Sequence, residues 1–444
     1  MRKEINQDDL ELIVQKVIQQ ALVSGADQVE ACISHNIGFD VNARMGEVES
    51  IEYTNGRGLN LTVYKDLKKG SVSTTDLSES SLTETIKRAC SFAKYTNKDN
   101  CSGLANKDDM IQSEVKDLEL DHNWEISVEE ATQLAIECEA AALSLDPKII
   151  NSEGGSVSSN TSIRVYGNSH NFLDSQMRTS HGIGCVVLAG EKNEKQRDYW
   201  SSSSRDPDDL EDHVAVGKKA GERALDRLGS KKIDTTEAPV LFSPELSGGF
   251  IGHAVSALSG TAQYRQASFL LDAIGNKIFP DFLSMKERPH IPKGWASKVY
   301  DGDGVGTYDR DVVHQGKIGG YFLSSYSARR LNMATTGNAG GHHNLIIPGN
   351  ISDQEAIIST MKRGLLVQEL IGQGVNNVTG DYSRGAAGFW IEDGRIVHPV
   401  HEVTISGNLI DLYQKISMIG NDYDDRGRIY CGALLVDEMR IAGN

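Results

Sequence analysis

The chain has 444 residues, 39% of them hydrophobic, which is enough for two or three domains with buried cores. Its 45 basic and 62 acidic side chains give a net charge of −17, which argues against direct binding to nucleic-acid phosphates. No apolar run approaches a membrane span and the amino terminus lacks a signal-peptide pattern, so we expect a cytoplasmic protein that does not bind membranes. The six cysteines contain no C-x-x-C pair, so neither a disulfide framework nor a zinc knuckle is indicated.

The first hundred residues read as a helix, a set of strands and a second helix. Apolar residues at helical spacing predict an amphipathic helix over residues 8–24. Alternating strands follow, and Asn55 with Gly56 is a strong signal for a two-residue hairpin turn between them. Ser81 and Glu84 form a capping-box pattern, which predicts the start of the second helix.

The next segment repeats this plan. Ser127 and Glu130 form another capping-box pattern, and the helix that they open is followed by strands and a final helix. The sequence therefore predicts a duplicated α+β unit, with copies near 1–100 and 123–230, and an amino-terminal region that ends near residue 233.

The region 234–444 differs in character, because short apolar segments and glycine-rich loops replace long helices. Together with the amino-terminal region it predicts an α+β fold whose carboxy-terminal domain is mostly antiparallel sheet with a groove. The strand candidates are Tyr321–Leu323, Leu345–Ile347, Gly388–Trp390, Val403–Ile405 and Gly432–Leu435.

One short helix is the main candidate site. Ser243 is predicted to cap it, Pro244 to occupy its first position and Gly260 to end it. His253 is its interior ionisable residue, and a zinc-protease helix would need a second histidine and a glutamate beside it. The spacing instead favours a packed or hydrogen-bonded histidine next to an apolar stripe. That stripe consists of Leu246, Phe250, Ala254 and Leu258.

Other candidates are weaker. Residues 301–306 superficially resemble a calcium loop but lack the required acidic positions, so a glycine-aspartate turn is the better interpretation. His342, His343 and Asn344 follow a glycine-rich loop and are candidates for hydrogen bonding to a substrate. No nucleophile elbow, Walker A sequence or dinucleotide fingerprint is present.

Seven motifs in the carboxy-terminal half resemble the PmbA/TldE branch of the TldD/PmbA family. They run in order through residues 252–272, 322–331, 336–344, 369–394, 405–409, 419–422 and 431–444. The resemblance implies a subunit of a cytoplasmic metallopeptidase that acts on unfolded or small peptides. In that family a TldD-type chain carries an H-E-x-x-x-H helix and a cysteine as its zinc site, and pairs with a PmbA-type chain.

The resemblance places remnants of that zinc site on this chain. His253 matches the first histidine, Ala254 the glutamate, Leu258 the second histidine and Cys431 the cysteine. We therefore expect no cofactor and no catalytic residue here, with zinc held by a TldD-type partner in a heterodimer or larger assembly. A homodimer stays possible. Substrate-binding candidates are His253, Tyr264, His342, His343, Asn344 and Arg384.

Two alternatives remain open. The chain would be an autonomous metallopeptidase if His253, Cys431 and a distant histidine formed an unrecognised metal site. It would be a regulator if it bound DNA gyrase or an antitoxin without proteolysis. A paralogue with an intact zinc helix in the same genome would favour the non-catalytic subunit over both.

Overall fold

The structure is a computed structural model that describes residues 6–111, 117–191 and 194–443. The chain forms two compact units, each of them discontinuous in sequence. The first comprises Met1–Ala189, Arg197–Glu222 and Tyr300–Gly306, and the second comprises Gly190–Gln196, Arg223–Val299 and Thr307–Asn444. No helix in the described ranges has the length and apolar character needed to cross a membrane.

The first unit contains the order helix, three strands, helix twice over. Its elements are α1 (Gln7–Val23), β1 (Gln28–Arg44), β2 (Glu47–Lys65), β3 (Lys68–Thr74), α2 (Glu79–Tyr95), α3 (Val128–Leu143), β4 (Ile149–Asn168), β5 (Phe172–Ala189), β6 (Gln196–Ser204) from its second residue onward, and α4 (His213–Asp226) as far as Glu222. The strands form one sheet in the order β3-β2-β1-β4-β5-β6, so the first strand of each set meets the other at the centre. This central pair is antiparallel.

Glycines let helices of the first unit lie directly on its sheet. A Cβ atom at Gly70 in β3 would lie 2.1 Å from the carbonyl oxygen of Ala89 in α2. In the second half of the sheet, a Cβ at Gly155 in β4 would lie 2.1 Å from the carbonyl oxygen of Ala135 in α3. Both positions therefore require glycine, because a side chain would push the helix away from the strand.

The second unit is richer in strands. Its elements are β7 (Thr236–Phe242), α5 (Pro244–Ala257), α6 (Gly260–Tyr264), β8 (Met285–Glu287), β9 (Arg310–His314), β10 (Lys317–Ile318), α7 (Ser325–Leu331), β11 (Leu345–Ile347), α8 (Gln354–Thr360), β12 (Arg363–Ile371), β13 (Asp381–Glu392), β14 (Arg395–Asn408), α9 (Leu409–Gln414), β15 (Ile416–Ile419), β16 (Ile429–Cys431) and β17 (Leu434–Ala442).

These strands form two sheets around a shared core that includes α5. One sheet has the order β10-β9-β8-β11-β16, and the other has the order β14-β13-β12-β7-β17-β15. An additional pairing of β14 with β17 closes five strands of the second sheet into a ring. The pairings are antiparallel except for β11 with β16 and β12 with β7. Phe250, Ile251 and Ala254 of α5 lie in the core of this unit.

The predicted α+β class is confirmed, and several local patterns are found where the sequence indicated. The helix predicted over 8–24 is α1, and its N-cap is the side chain of Asn6. The capping box of Ser127 and Glu130 is present at the start of α3, with both reciprocal hydrogen bonds formed. Leu345–Ile347 is strand β11.

The hairpin turn predicted at Asn55 and Gly56 is wrong. Strand β2 runs straight through both residues, which pair with β1, and Asn55 accepts a hydrogen bond from the imidazole of His35 at 2.9 Å. The chain reverses instead at Met45 and Gly46, which have φ values of 52° and 80°. Long-range pairing along β1 therefore overrides the local turn preference.

Two helix boundaries and one predicted strand also differ from the prediction. Helix α2 is capped by Ser78 rather than Ser81, and Glu84 pairs with an arginine one turn later instead of closing a capping box. Helix α5 ends at Ala257. Gly260, which was predicted to end it, is instead the first residue of the separate helix α6. The segment Tyr321–Leu323 contributes only an isolated bridge and no strand.

Candidate functional site

Helix α5 holds one face in the core and presents another to solvent. The ring of Phe250 stacks on Phe242 with centroids 4.7 Å apart, and the Tyr413 hydroxyl donates to the Phe250 carbonyl oxygen at 3.1 Å. Ser243 and Pro244 occupy the predicted N-cap and first helical positions, although the Ser243 hydroxyl makes no capping hydrogen bond. These contacts fix the helix axis and leave His253 partly buried at the flank of the anchored face.

His253 faces strand β13. Its ring lies edge-to-face against Tyr382, with centroids 5.8 Å apart. Arg384 is two residues further along the strand, and its positive charge acts on the same imidazole. Burial, and then the charge of Arg384, lower the pKa of His253, so the imidazole is neutral near pH 7.

The positions predicted to be remnants of a zinc site offer few donors. Ala254 and Leu258 are both 0% exposed and pack in the core of the second unit. Cys431 is buried at the end of β16, where burial raises the pKa of its thiol to about 12, and a thiol is a poor zinc ligand compared with a thiolate. Throughout the described ranges, no three His, Cys, Asp or Glu side chains come together as a metal-binding group. A zinc ion does not fit these residues.

A buried polar network holds the loop that contains the paired histidines. The carboxylate of Glu287, which is 1% exposed, accepts hydrogen bonds from Arg310 Nε at 2.6 Å, Asn338 Nδ2 at 2.8 Å and the backbone N–H of His343 at 2.7 Å. The guanidinium of Arg310 also lies over the ring of Phe322, 5.1 Å from its centroid. The network satisfies the buried charges and positions the loop from the inside.

His343 and Asn344 serve as internal supports in this arrangement. The Nε2 atom of His343 lies 2.8 Å from the carbonyl oxygen of Gly337. Both ends of the Asn344 side chain are used within the fold. It accepts from the backbone N–H of Ala296 and donates to the Arg288 carbonyl oxygen and the Ser297 hydroxyl. The structure thus gives these two residues structural contacts, while their predicted role in substrate binding stays a prediction.

His342 points elsewhere and lines two cavities. Its ring lies 6.1 Å from that of Phe322, and burial is the main cause that lowers the pKa of His342. The larger cavity, of about 460 Å³, is lined by Val255, Ser256, Ser259, Gly260, Thr261, Phe322, Ser324, Ser327, Asn338, Gly340, Gly341 and His342. The smaller, of about 270 Å³, is lined by Pro244, Glu245, Gly248, Gly249, His342, Asp424, Gly427, Arg428 and Ile429.

Helix α5 contributes to both cavities through small residues. Gly249 faces open space, since a Cβ atom there would meet nothing within 4 Å. Ser256, two turns later on the helix, lines the larger cavity. Hydroxyls, backbone groups of a glycine loop and one imidazole can supply directed hydrogen bonds, so this face has the character of a small-ligand or peptide site.

Tyr264 lies in a different cluster. Its ring packs edge-to-face against Tyr326 with centroids 5.8 Å apart, and the guanidinium groups of Arg330 and Arg265 lie 5.4 and 5.8 Å from its centroid. The structure thus brings His253 close to Arg384, and places His342 at the cavities and Tyr264 among arginines. Sequence reasoning missed Tyr382, although its position two residues before Arg384 on a strand was a usable signal.

Residues 301–306 form the turn that the sequence indicated. The carboxylate of Asp301 accepts the backbone N–H groups of Asp303 at 2.8 Å and Val305 at 3.0 Å. The loop belongs to the first unit.

Three family models match in succession and together span most of the chain. Residues 29–93 match domain 1 of the PmbA/TldA metallopeptidases, residues 121–228 match the central domain and residues 235–443 match the C-terminal domain. The chain belongs to the PmbA/TldD metallopeptidase family. Its mixed helix-and-sheet fold is therefore that of a family member, while the zinc-site remnant on α5 stays a prediction.

Relatives from two bacteria extend over almost the whole chain. This chain is 43% identical over 435 residues to metalloprotease PmbA from Escherichia coli O157:H7, and the match covers 96% of each chain. It is also 41% identical over 439 residues to the metalloprotease PmbA homologue from Haemophilus influenzae, covering 99% of this chain and 97% of the relative.

Two solved structures share the fold. A protein from Bacteroides thetaiotaomicron, described as a modulator of DNA gyrase, superposes with a TM-score of 0.94 at 26% identity, covering 99% of this chain and 100% of that one. TldE from Thermococcus kodakarensis superposes with a TM-score of 0.85 at 20% identity, covering 97% and 100% respectively. The second likeness concerns the fold alone.

Proposed function

We propose that this chain is the PmbA/TldE-type, non-catalytic subunit of a cytoplasmic peptidase that acts on unfolded or small peptides. Hydrolysis is carried out by a TldD-type partner that holds the zinc. The observation that carries the proposal is the filling of the two companion positions of His253 by Ala254 and Leu258, both fully buried. An alanine supplies no general base, and a buried leucine supplies no ligand.

Three further features support a subunit that binds peptides within a peptidase without catalysing hydrolysis itself. The neutral imidazole of His342 lies beside hydroxyl groups and a glycine loop, which suits hydrogen bonding to peptide backbone. The buried Cys431 thiol is held protonated, which disfavours both metal binding and nucleophilic attack. The relatives that match nearly the whole chain are named metalloproteases, which supports a role in proteolysis.

The proposal is tested by assaying the purified chain with and without a TldD-type chain. Alone it should contain no stoichiometric zinc by elemental analysis and should cleave no unfolded peptide. The mixture should cleave, and substituting the glutamate of the partner's zinc helix with glutamine should abolish that activity. His253→Ala in this chain should leave the zinc content of the mixture unchanged. One zinc per chain with chelator-sensitive cleavage by this chain alone would show an autonomous peptidase instead.

A pull-down separates the regulatory alternative. Tagged chain is incubated with purified DNA gyrase in the absence and presence of the TldD-type chain. The proposed subunit captures the TldD-type chain and leaves gyrase in solution. Capture of gyrase without the TldD-type chain would favour a regulator.

A further inference from the structure

Strand β13 carries a tyrosine that packs against α5 and an arginine on the same face, and each has a buried polar atom without a partner. Tyr382 and Arg384 are two residues apart and therefore lie on the same face of the sheet. The Tyr382 hydroxyl and the Arg384 Nε atom are both buried and have no hydrogen-bond partner in the part of the chain that the structure describes. Buried donors in this state are uncommon in folded proteins and call for an explanation.

The backbone around the pair is held on both sides. Tyr382 and Arg384 pair with β14 at Gly407 and Ile405. On the other side, the backbone N–H of Ser383 donates to the carbonyl oxygen of Gly374 at 2.7 Å. The two side chains are thus presented by a rigid segment, and their unpartnered donors are not explained by a loose loop.

The helix side of the cluster is equally well packed. The Tyr382 ring lies edge-to-face against Phe250, with centroids 5.7 Å apart, and against His253 at 5.8 Å. Tyr382 is only 2% exposed, whereas His253 and Arg384 are partly exposed. Solvent therefore reaches the cluster past the imidazole and the guanidinium, with the phenol at its base.

The charge of the cluster is unbalanced. Arg384 forms no ion pair with any described residue, and its charge is felt at both His253 and Tyr382. Burial raises the pKa of Tyr382, so its hydroxyl keeps its proton and remains a donor. A phenolic donor in contact with an imidazole, together with a permanent cation whose charge acts on both, would accept a planar anion better than any neutral group.

We propose that His253, Tyr382 and Arg384 form a binding site for the carboxylate of a peptide. The site takes either the terminal carboxylate or an acidic side chain, and the guanidinium and phenol donate to its two oxygens. Identification of the ligand as a peptide rests on the proposed function. In this view His253, the first position of the predicted zinc-site remnant, is part of a site that anchors the peptide to be cut.

The test measures peptide binding to the full chain alone by calorimetry. The probe is an acetylated alanine pentapeptide with a free carboxylate, compared with its carboxamide and with a carboxamide that has glutamate at its centre. Wild type should bind the free acid at least about tenfold more tightly than the carboxamide, as a charge-assisted hydrogen bond implies. Equal binding of the glutamate peptide and the free acid would identify an acidic side chain as a second source of the carboxylate.

Variants locate the effect. Arg384→Gln should weaken binding of the free acid by about tenfold or more and remove the preference over the carboxamide, since the two changes delete the same interaction. Tyr382→Phe keeps the ring packing and should weaken binding by a smaller factor. Arg395→Gln, an exposed arginine on the neighbouring strand, is the matched control and should bind as wild type does.

The proposal is overturned if folded Arg384→Gln binds the free acid within about twofold of wild type, or if amidation has no effect on wild type. It is also overturned if the peptides do not bind and Arg384→Gln instead weakens association with the TldD-type chain, which would assign the arginine to an interface. Zinc content and cleavage by the isolated chain are separate measurements. The subunit proposal therefore fails on those readouts and the carboxylate site fails on binding.

Discussion

Glu287 shows how one buried carboxylate organises a loop. It lies beneath residues 337–343 and pairs with Arg310, whose side chain is 12% exposed. Replacing one member of a buried ion pair leaves the other charge without compensation, and this costs more than the pair itself contributes. We expect Glu287→Gln to lower the free energy of unfolding by roughly 3 kcal/mol, measured by urea denaturation.

An exposed ion pair provides the matched control. Glu438 lies 2.6 Å from Lys415, and its side chain is 53% exposed. Solvent screens such a pair, so Glu438→Gln should change stability by less than about 1 kcal/mol. Equal effects of the two substitutions would contradict the role assigned to Glu287. A loop-specific increase in hydrogen exchange at Asn338 in Glu287→Gln would support it.

The sequence predicted some single-residue features and could not predict others. The position of His253 on a short helix follows from Ser243, Pro244 and the apolar stripe, all of them local signals. Its contact with Tyr382 depends on packing between residues 129 positions apart, for which local spacing carries no information. Similarly, Asn344 looked available to a substrate because of the glycines before it, and only the fold shows its amide to be satisfied.

At the scale of elements, helix α5 combines two adjacent glycines in unlike surroundings. A Cβ atom at Gly249 would meet nothing within 4 Å, whereas one at Gly248 would lie 3.0 Å from the backbone oxygen of Ile429 in β16. Alanine is more favourable than glycine inside a helix by about 1 kcal/mol. We therefore expect Gly249→Ala to raise the free energy of unfolding by roughly 0.5–1 kcal/mol.

Gly248→Ala has the same gain in helix propensity but requires β16 to move. It should be less stable than Gly249→Ala by about 1 kcal/mol, as judged from chemical denaturation of the two variants side by side. Indistinguishable stabilities of the two variants would mean that β16 can move away from α5 at little energetic cost. The pair thus measures how closely the strand that carries Cys431 is held against the helix.

Local signals located some elements correctly and failed for others. The capping box at Ser127 fixes the start of α3 by local hydrogen bonds, and it is present as expected. The failed turn at Asn55 lies in a strand of 19 residues whose register is set by β1. All 17 residues of β1 pair with β2, and this pairing outweighs the turn preference of two residues. The residue pattern of β2 alone therefore could not locate the chain reversal.

At the scale of the whole molecule, the sequence order of the chain and its division into compact units differ. The change in composition predicts a boundary near residue 233, yet Tyr300–Gly306 belongs to the first unit. Tyr300 lies edge-to-face against Phe172 at 5.1 Å, and the Tyr166 hydroxyl donates to the Asp303 carbonyl oxygen at 3.2 Å. A contribution from more than 60 residues beyond the boundary cannot be recognised from composition.

This insertion predicts that a fragment of residues 1–233 is incomplete. Without the segment, the side chains of Tyr166 and Phe172 lose their cover and Met110 loses its backbone bridge to Val305. We expect the fragment to exchange amide hydrogens faster at the end of β4 than the full chain does. Exchange in α2 serves as the internal reference, because it packs against β2 and β3 instead.

A substitution in the full chain separates loss of the segment from loss of the whole second unit. Tyr300 is 4% exposed, and Tyr300→Ala should reduce the free energy of unfolding of the first unit by roughly 3 kcal/mol and speed exchange at the same amides. Tyr308, which lies just outside the segment and is 49% exposed, is the control and should tolerate alanine. If amide exchange at the end of β4 is as slow in the fragment and in Tyr300→Ala as in the full chain, residues 300–306 contact the first unit without stabilising it. If both lose protection there, the first unit is completed by a segment that follows the predicted boundary, and its folding depends on the synthesis of the chain beyond residue 306.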